Sequence, residues 1–314
     1  VPRYTWSLLR ADLVAGLTVG VVLIPQGVAY AMLAELPPIY GLYAALAPLP
    51  VYAAMGSSRH MSIGPFALVS LLVADAAGDV VDPDADGMEA YVDAVMCLSM
   101  MVGTFLLLMA TLRLGARNSA RNSSPRNSSP RKFSPTAILS TGAIASFLSD
   151  SVLQGFTSAA AVLISTSQLK HLLGMKIPRA HFMETLYYAV THIGEANPAT
   201  VGVGVGGVAL LLGVKRINKA KCPKIPLPEQ LLLLLVATVA TYAFSLDAPP
   251  FSLPILGDVP SGLPAPRFPP IGQPGLVSSL LKPTLVVGTF CFILSVSLAR
   301  TFAMKFEYKI DPNQ

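Results

Sequence analysis

Long apolar stretches separated by shorter polar ones dominate this chain. Between Leu13 and Leu33 the clearly polar side chains are Thr18, Gln26 and Tyr30, and a helix of this length crosses a hydrocarbon core of about 30 Å. The pattern recurs along the sequence and predicts an all-α polytopic membrane protein. The eight apolar segments span residues 13–33, 40–56, 64–75, 91–112, 144–168, 198–214, 229–245 and 278–299.

The third apolar segment is too short to span a bilayer alone, and its start is unusual. Gly64-Pro65 follows residues of extended type, and helix-forming residues come next. Because proline is favoured at the first helical position, we predict that a helix begins here, part-way through the membrane. Its unpaired N–H groups, among them those of Ala67 and Leu68, would attract an anion, and the positive edge of the Phe66 ring would help to line the site. Plain packing is the alternative role for this ring.

The first segment holds a second candidate site around Gln26. Pro25 removes one backbone donor from the helix, and lipid cannot satisfy the Gln26 amide, so this side chain needs a cavity, a ligand or a neighbouring helix. Tyr30 lies four residues later, on the same helix face. The pattern leaves open a substrate-binding role, a helix–helix hydrogen bond for Gln26 and an interfacial position for Tyr30.

Composition and charge agree with a membrane protein. Hydrophobic residues make up 53% of the chain and charged residues 12%, a balance that an ordinary soluble domain does not show. With a cytoplasmic N-terminus, 17 of the 22 Lys and Arg residues fall on the cytoplasmic side. The loop between Asp75 and Asp93, on the other side, has seven acidic residues and no basic one. The positive-inside rule therefore supports this orientation, and basic clusters beside membrane spans imply a lipid bilayer and no nucleic-acid partner.

Three connecting segments have distinct compositions. Residues 116–135 repeat Arg, Asn, Ser and Pro with few apolar side chains, which predicts a disordered cytoplasmic insertion. Residues 180–195 carry apolar side chains at helical spacing and predict a helix at the outer membrane interface. Residues 246–274 are rich in Pro and Gly and predict an extended extracellular connection. Residues 1–12 do not have the pattern of a secretory signal, and because residue 1 is Val we expect the sequence to be part of a longer chain.

Catalytic chemistry has little support in the sequence. The four His residues are dispersed, and we find no Ser/His/Asp set, phosphate loop, paired carboxylates or metal-ligand spacing. Cys97, Cys222 and Cys291 are not paired by spacing, so we predict free thiols with packing roles. These patterns predict neither an enzyme activity nor a cofactor.

Several motifs together resemble the SulP (sulfate permease) family of solute-carrier anion transporters. They occur in family order over nearly the whole chain, apart from the insertion at 116–135. The matching motifs are Asp12-Leu13-Val14-Ala15-Gly16-Leu17-Thr18, Ile24-Pro25-Gln26-Gly27, Leu36-Pro37-Pro38-Ile39-Tyr40-Gly41-Leu42-Tyr43, Gly56-Ser57-Ser58-Arg59-His60, Gly64-Pro65-Phe66, Gly155-Phe156-Thr157-Ser158-Ala159-Ala160-Ala161, Gly257-Asp258-Val259-Pro260-Ser261-Gly262-Leu263-Pro264, Ala299-Arg300-Thr301-Phe302-Ala303 and Ile310-Asp311-Pro312-Asn313-Gln314.

The resemblance implies a fold of two inverted seven-helix repeats. Residues 1–314 would supply the first repeat and the first helix of the second, as a partial transmembrane domain that lacks helices nine to fourteen and the C-terminal cytoplasmic STAS domain. Helices one, three, eight and ten of a mobile core domain would form the anion site, and the other helices would form a gate. The full-length protein is expected to be a homodimer in the plasma membrane, with its N-terminus in the cytoplasm.

The resemblance also carries site positions over to this chain. Gln26 and Tyr30 match helix-one positions of the family's anion site, and Phe66, Ala67 and Leu68 match the N-terminus of its helix three.

Leu294 and Ser295 are the corresponding positions on helix eight. Many proton-coupled sulfate transporters of the family carry Glu where this sequence has Leu294. A carboxylate is the natural proton carrier in a membrane site. Its absence therefore favours anion exchange or uniport over proton symport.

The function implied is secondary active anion transport by an elevator-type movement, with sulfate as the first candidate substrate. Chloride/bicarbonate exchange is a close alternative within the family. An organic-solute permease of the nucleobase type is a further alternative, although such sites usually use a carboxylate and none lies among the candidate residues. A third alternative is an electromotile or regulatory membrane protein that transports little.

Overall fold

The protein is described by a computed structural model that covers residues 5–56, 62–122, 150–175, 177, 182–221, 229–253, 255–256, 262–263, 268–270, 272 and 275–306. Within these ranges the regular structure is helical, as the apolar segments predict. The α-helices are α1 (Trp6–Leu33), α2 (Pro38–Leu46), α3 (Pro48–Met55), α4 (Ala67–Gly78), α5 (Met88–Asn122), α6 (Asp150–Ser167), α7 (Leu169–Leu173), α8 (Phe182–Thr191), α9 (Pro198–Lys221), α10 (Glu229–Phe244) and α11 (Leu276–Lys305).

Membrane-spanning helices account for most of the predicted segments. In the described part of the chain, five helical stretches are long and apolar enough to cross a bilayer. Helices α4 and α10 are shorter apolar helices, and α4, with 12 residues, is about 18 Å long. The prediction of a third segment too short to span is therefore confirmed. The five long stretches are Trp6–Leu33, Pro38–Met55, Met88–Thr111, Pro198–Asn218 and Leu276–Ala299.

Proline explains where the second predicted segment departs from a single helix. The segment is divided into α2 and α3 at Ala47. Pro48 and Pro50 have no N–H group, so they cannot donate to the carbonyls four residues earlier, and the helix is interrupted there.

The predicted start of the third segment was wrong by two residues. Pro65 lies before the helix, Phe66 is the N-cap with extended backbone (φ −132°, ψ 131°), and Ala67 is the first helical residue. The backbone is thus still extended at Phe66, directly after Pro65, whose fixed φ is compatible with extended backbone as well as with helix.

Two other predicted segments extend to the edge of the described residues. Helix α5 continues through Asn122, so the first residues of the predicted insertion 116–135 are helical, and 123–135 lie outside the described residues. Helix α6 covers the second part of the predicted segment 144–168, whose residues 144–149 also lie outside them. The helix predicted within 180–195 is present as α8.

Two compact units make up the chain. The first contains Val1–Ala45 and Ala161–Gly262. In it α1 packs on α10, α10 packs on α9, and α9 packs on α7. Helix α1 carries the candidate residues of the first segment, Gln26 and Tyr30, in its C-terminal half.

The second unit contains Leu46–Ala160 and Leu263–Gln314. Helix α11 packs along α5 and α4, and these two helices also pack on each other. The core of this unit includes Leu98, Leu280 and Val287, all buried. Cys97 is buried in the same core and Cys291 packs against it; both are free thiols, as the sequence predicts, whereas Cys222 lies outside the described residues.

Candidate functional site

Gln26 and Tyr30 form a hydrogen-bonded pair on α1. The helix continues through Pro25, and one turn separates the two side chains, so both lie on the same face. Gln26 Nε2 donates to Tyr30 Oη at 2.7 Å, and both residues are half-buried. The sequence prediction that an amide and an aromatic hydroxyl lie together is therefore confirmed.

This pair presents hydrogen-bond donors without a formal charge. Because the Tyr30 oxygen accepts a bond from Gln26, its O–H remains available to donate, and the Gln26 amide has a second N–H. A chain of this kind polarises its members, which strengthens the outer donor. Its chemistry suits an anion that must be bound and then released.

Helices α1 and α2 approach each other closely at Gly27, the residue next to Gln26. Gly27 and Gly41 are both buried and face each other across the two helices. A Cβ built on Gly27 would lie 3.1 Å from the Gly41 carbonyl oxygen, and a Cβ built on Gly41 would overlap the Gly27 carbonyl. Glycine at both positions is what allows the backbone of α2 to contact α1 beside Gln26. Both glycines belong to quoted motifs, but nothing in their local pattern indicated the contact.

The other candidate residues belong to the second unit, around the N-terminus of α4. The first hydrogen bond within the helix runs from the Ser70 N–H to the Phe66 carbonyl at 2.9 Å. The preceding N–H groups of Ala67, Leu68 and Val69 have no carbonyl in an earlier turn, and the cap residue provides no side-chain acceptor. Phe66 is 43% exposed. Among the described residues these donors have no hydrogen-bond partner, so this helix end carries a partial positive charge, as predicted.

Leu68 and Leu294 are brought together by the packing of α4 on α11. Both are buried and form an apolar cluster with Ala160. Ser295 is exposed and takes no part in this cluster. The predicted helix-eight residues thus separate, because neighbouring residues on a helix point about 100° apart. At this position α11 presents a hydrocarbon side chain to α4 and no titratable group.

One ion pair in the first unit was not predicted from the sequence. Lys170 Nζ lies 3.0 Å from Glu35 Oε1, although the residues are 135 positions apart in the chain. The pKa of the adjacent His171 is lowered, mainly because the imidazole is partly desolvated and secondly because of the Lys170 charge. The Glu35 carboxylate partly offsets this effect. No periodic signal marks such a pair, since it depends on which helix ends meet.

Metal binding has no support in the described ranges. No group of three or more His, Cys, Asp or Glu side chains is arranged there to hold a metal ion. The acidic turn after α4 is closed instead by its own bonds: the Asp82 N–H donates to Asp86 Oδ2 at 2.9 Å, and the Asp84 N–H donates to Asp82 Oδ1 at 3.0 Å.

Comparison with known proteins defines the class. The structure superposes on that of murine Solute Carrier 26 family member A9, described as an anion transporter in the inward-facing state, with a TM-score of 0.81 and 23% identity. The match covers 100% of this chain and 49% of the other. The architecture is accordingly that of the inverted-repeat transporters, with the first repeat and the first helix of the second.

The sequence matches place the chain within a family. The model of the sulfate permease family matches residues 9–120 and 137–314. Over the whole chain, the sequence is 36% identical to the probable sulfate transporter 4.2 of Arabidopsis thaliana and 31% identical to solute carrier family 26 member 10 of Mus musculus. The chain belongs to the sulfate permease family, whose members are transporters and not enzymes. It spans 42% and 44% of the length of those two relatives.

Proposed function

We propose that this chain is the transmembrane part of a secondary active anion transporter. The observation that carries the proposal is the Gln26–Tyr30 pair, in which neutral donors lie on a helix apolar enough to span a membrane. Neutral donors hold an anion by directed hydrogen bonds and release it more readily than a fixed positive charge would. Membership of the sulfate permease family supports this assignment.

Sulfate is the proposed substrate. The Arabidopsis relative named as a probable sulfate transporter is 36% identical. A tetrahedral oxyanion offers several acceptor oxygens, so it can accept from Tyr30 and Gln26 in the first unit. In the second unit, the N–H groups at the start of α4 are donors that suit the same class of ligand. All of these groups donate hydrogen bonds, as an oxyanion requires. Phe66 and Ser295 are further proposed contacts.

Exchange or uniport is the proposed mode of transport. Leu294 is buried against Leu68. Helix α11 therefore has a hydrocarbon side chain at the position where proton symport would need a proton carrier. Without a carboxylate there, the cycle has no group at that position to bind and release a proton. We further propose that the site moves with an elevator-type displacement of a core domain, an interpretation supported by the family resemblance.

Orientation and assembly belong to the same proposal. The excess of Lys and Arg on one side of the spans supports a cytoplasmic N-terminus. The plasma membrane and a homodimer of the full-length protein are supported by the resemblance to the family.

The test is anion uptake into proteoliposomes by the full-length protein that contains this chain. Labelled sulfate, chloride and bicarbonate are compared, with each as internal counter-anion, for the wild type and Tyr30→Phe. We expect Tyr30→Phe to lower sulfate uptake by about tenfold or more, because the bound anion loses one buried donor. Tyr242→Phe is the matched control, since Tyr242 is 88% exposed.

Each outcome decides between the alternatives. Unchanged sulfate uptake in Tyr30→Phe would remove the pair from the site. Uptake of chloride and bicarbonate without sulfate would replace the proposed substrate and keep the exchange mode. Charge movement across the membrane without flux of any of the three anions would contradict transport itself.

A further inference from the structure

The C-terminus of α1 has a conformation that favours glycine, yet the residue there is Glu35. Its φ is +56°, in the left-handed region where residues with a Cβ are uncommon. The Glu35 N–H donates to the Met32 carbonyl at 3.0 Å, and the Leu36 N–H donates to the Ala31 carbonyl at 2.9 Å. This is the usual bonding at a helix end whose left-handed residue is Gly. Here the left-handed turn carries a charged side chain.

That side chain reaches a different part of the first unit. Glu35 Oε1 lies 3.0 Å from Lys170 Nζ, on the short helix α7. The two side chains keep 22% and 33% of their accessible surface, respectively. Partial burial shields the pair from screening, while the remaining exposure lets water replace either partner.

Helix packing alone does not tie these two elements together. Helix α1 packs on α10, whereas α7 packs on α9, and in the described part of the unit α1 and α7 share no comparable packing. The Glu35–Lys170 bond therefore links the end of the helix that carries Gln26 and Tyr30 to an element that this helix otherwise hardly touches. Tyr30 is five residues from Glu35, about 7 to 8 Å along the helix axis.

We propose that Glu35 and Lys170 are positioning residues, an electrostatic latch that holds the C-terminal end of α1 against α7 in this conformation and opens during transport. The inference rests on the proposed function. A partly exposed ion pair contributes little stability and exchanges with water quickly compared with a transport cycle, so it can be broken and remade in each turnover. Neither residue contacts the substrate in this proposal.

The first experiment locks the latch covalently. Cys97, Cys222 and Cys291 are replaced by Ser, and Glu35→Cys with Lys170→Cys is treated with a short bis-methanethiosulfonate reagent. We expect sulfate uptake to fall by about tenfold or more on cross-linking and to return on reduction, because a linked α1 remains in one of two conformations. Cross-linked protein that transports within about twofold of the untreated sample would overturn the latch, because it would show that residues 35 and 170 need not separate during transport.

The second experiment tests the pairing by kinetics. Glu35→Gln and Lys170→Gln break the same bond, so each should change the KM and the maximal rate for sulfate by the same factors, and the double variant should add nothing further. The reversed pair, Glu35→Lys with Lys170→Glu, should restore at least half of the wild-type rate. Glu184→Gln, at an exposed acid on α8, is the matched control. Additive effects, or failure of the reversed pair, would show that the two charges act separately.

A third measurement needs no transported substrate. Spin labels at Leu36→Cys and His171→Cys flank the pair, and their distance distribution is measured with Lys170 present and with Lys170→Gln. We expect one short population with the latch intact and an added longer one without it. An unchanged distribution would contradict the latch even if transport were confirmed. A shifted distribution in a protein that moves no anion would support the latch and contradict the proposed function.

Discussion

Replacing Gly41 with alanine tests the packing that holds the candidate site. The new Cβ would overlap the Gly27 carbonyl oxygen, with the carbonyl carbon at 2.6 Å and the Ala31 Cβ at 3.0 Å. Two of these three atoms are backbone, so no rotamer change can relieve the contact. Helix α2 must therefore move away from α1 beside Gln26.

The magnitude follows from two opposing terms. Alanine favours a helix over glycine by about 1 kcal/mol, whereas overpacking a close contact, with the backbone shifts that it forces, costs about 1–3 kcal/mol. Because this overlap involves backbone, we expect the steric cost to lie near the upper end of that range, so that Gly41→Ala loses roughly 2 kcal/mol net. For a domain of about 150–250 residues that corresponds to a fall of about 4–8 °C in Tm.

Two matched variants give a graded series on the same helix pair. A Cβ on Gly27 would lie 3.1 Å from the Gly41 oxygen, which a shift of a few tenths of an ångström relieves, so Gly27→Ala should be milder. A Cβ on Gly20 meets nothing within 4 Å, so Gly20→Ala should be neutral or raise the stability by up to about 1 kcal/mol. We therefore expect the highest Tm for Gly20→Ala, a lower Tm for Gly27→Ala and the lowest for Gly41→Ala.

The assay is thermal unfolding of the detergent-solubilised full-length protein, with sulfate uptake measured on the same preparations. Uptake should fall in the same order as Tm, because the displaced α2 no longer supports the turn of α1 that carries Gln26. A Gly41→Ala protein as stable and as active as Gly20→Ala would contradict the close approach of α1 and α2 at these glycines.

Three further predictions concern the site and its surroundings. Gln26→Glu should abolish sulfate uptake at normal expression, because a fixed negative charge would face the anion at low effective dielectric; wild-type flux would exclude Gln26 from the site. Sulfate uptake at fixed internal counter-anion should not depend on an inward proton gradient, and steep activation of the wild type by external acid would contradict exchange. Leu294→Glu should lower uptake at neutral pH more than Leu294→Gln does. Deleting residues 123–135 should leave uptake within a few-fold of normal, since so polar a segment contributes little folding energy; loss of membrane insertion on deletion would show a structural role.

Much of the fold is predictable because membrane spans are local properties. Long apolar runs specify helices such as α1 wherever the chain enters a bilayer, since lipid leaves backbone groups no other partner. The four-residue spacing of Gln26 and Tyr30 likewise follows from helix geometry alone. The predicted start of α4 was wrong because proline's fixed φ fits extended backbone as well as a first helical turn, and Phe66 after it is extended.

Contacts between distant helices were decided only by the tertiary structure. The fit of Gly27 against Gly41, the apolar contact of Leu68 with Leu294 and the ion pair between Glu35 and Lys170 all depend on which helices pack and at what depth. Periodicity shows which face of a helix is apolar, but it carries no information about the partner of that face. The sequence by itself therefore determined the spans and the residues able to bind an anion, whereas tertiary packing determined how those residues are supported, because it alone brings distant parts of the chain within bonding distance.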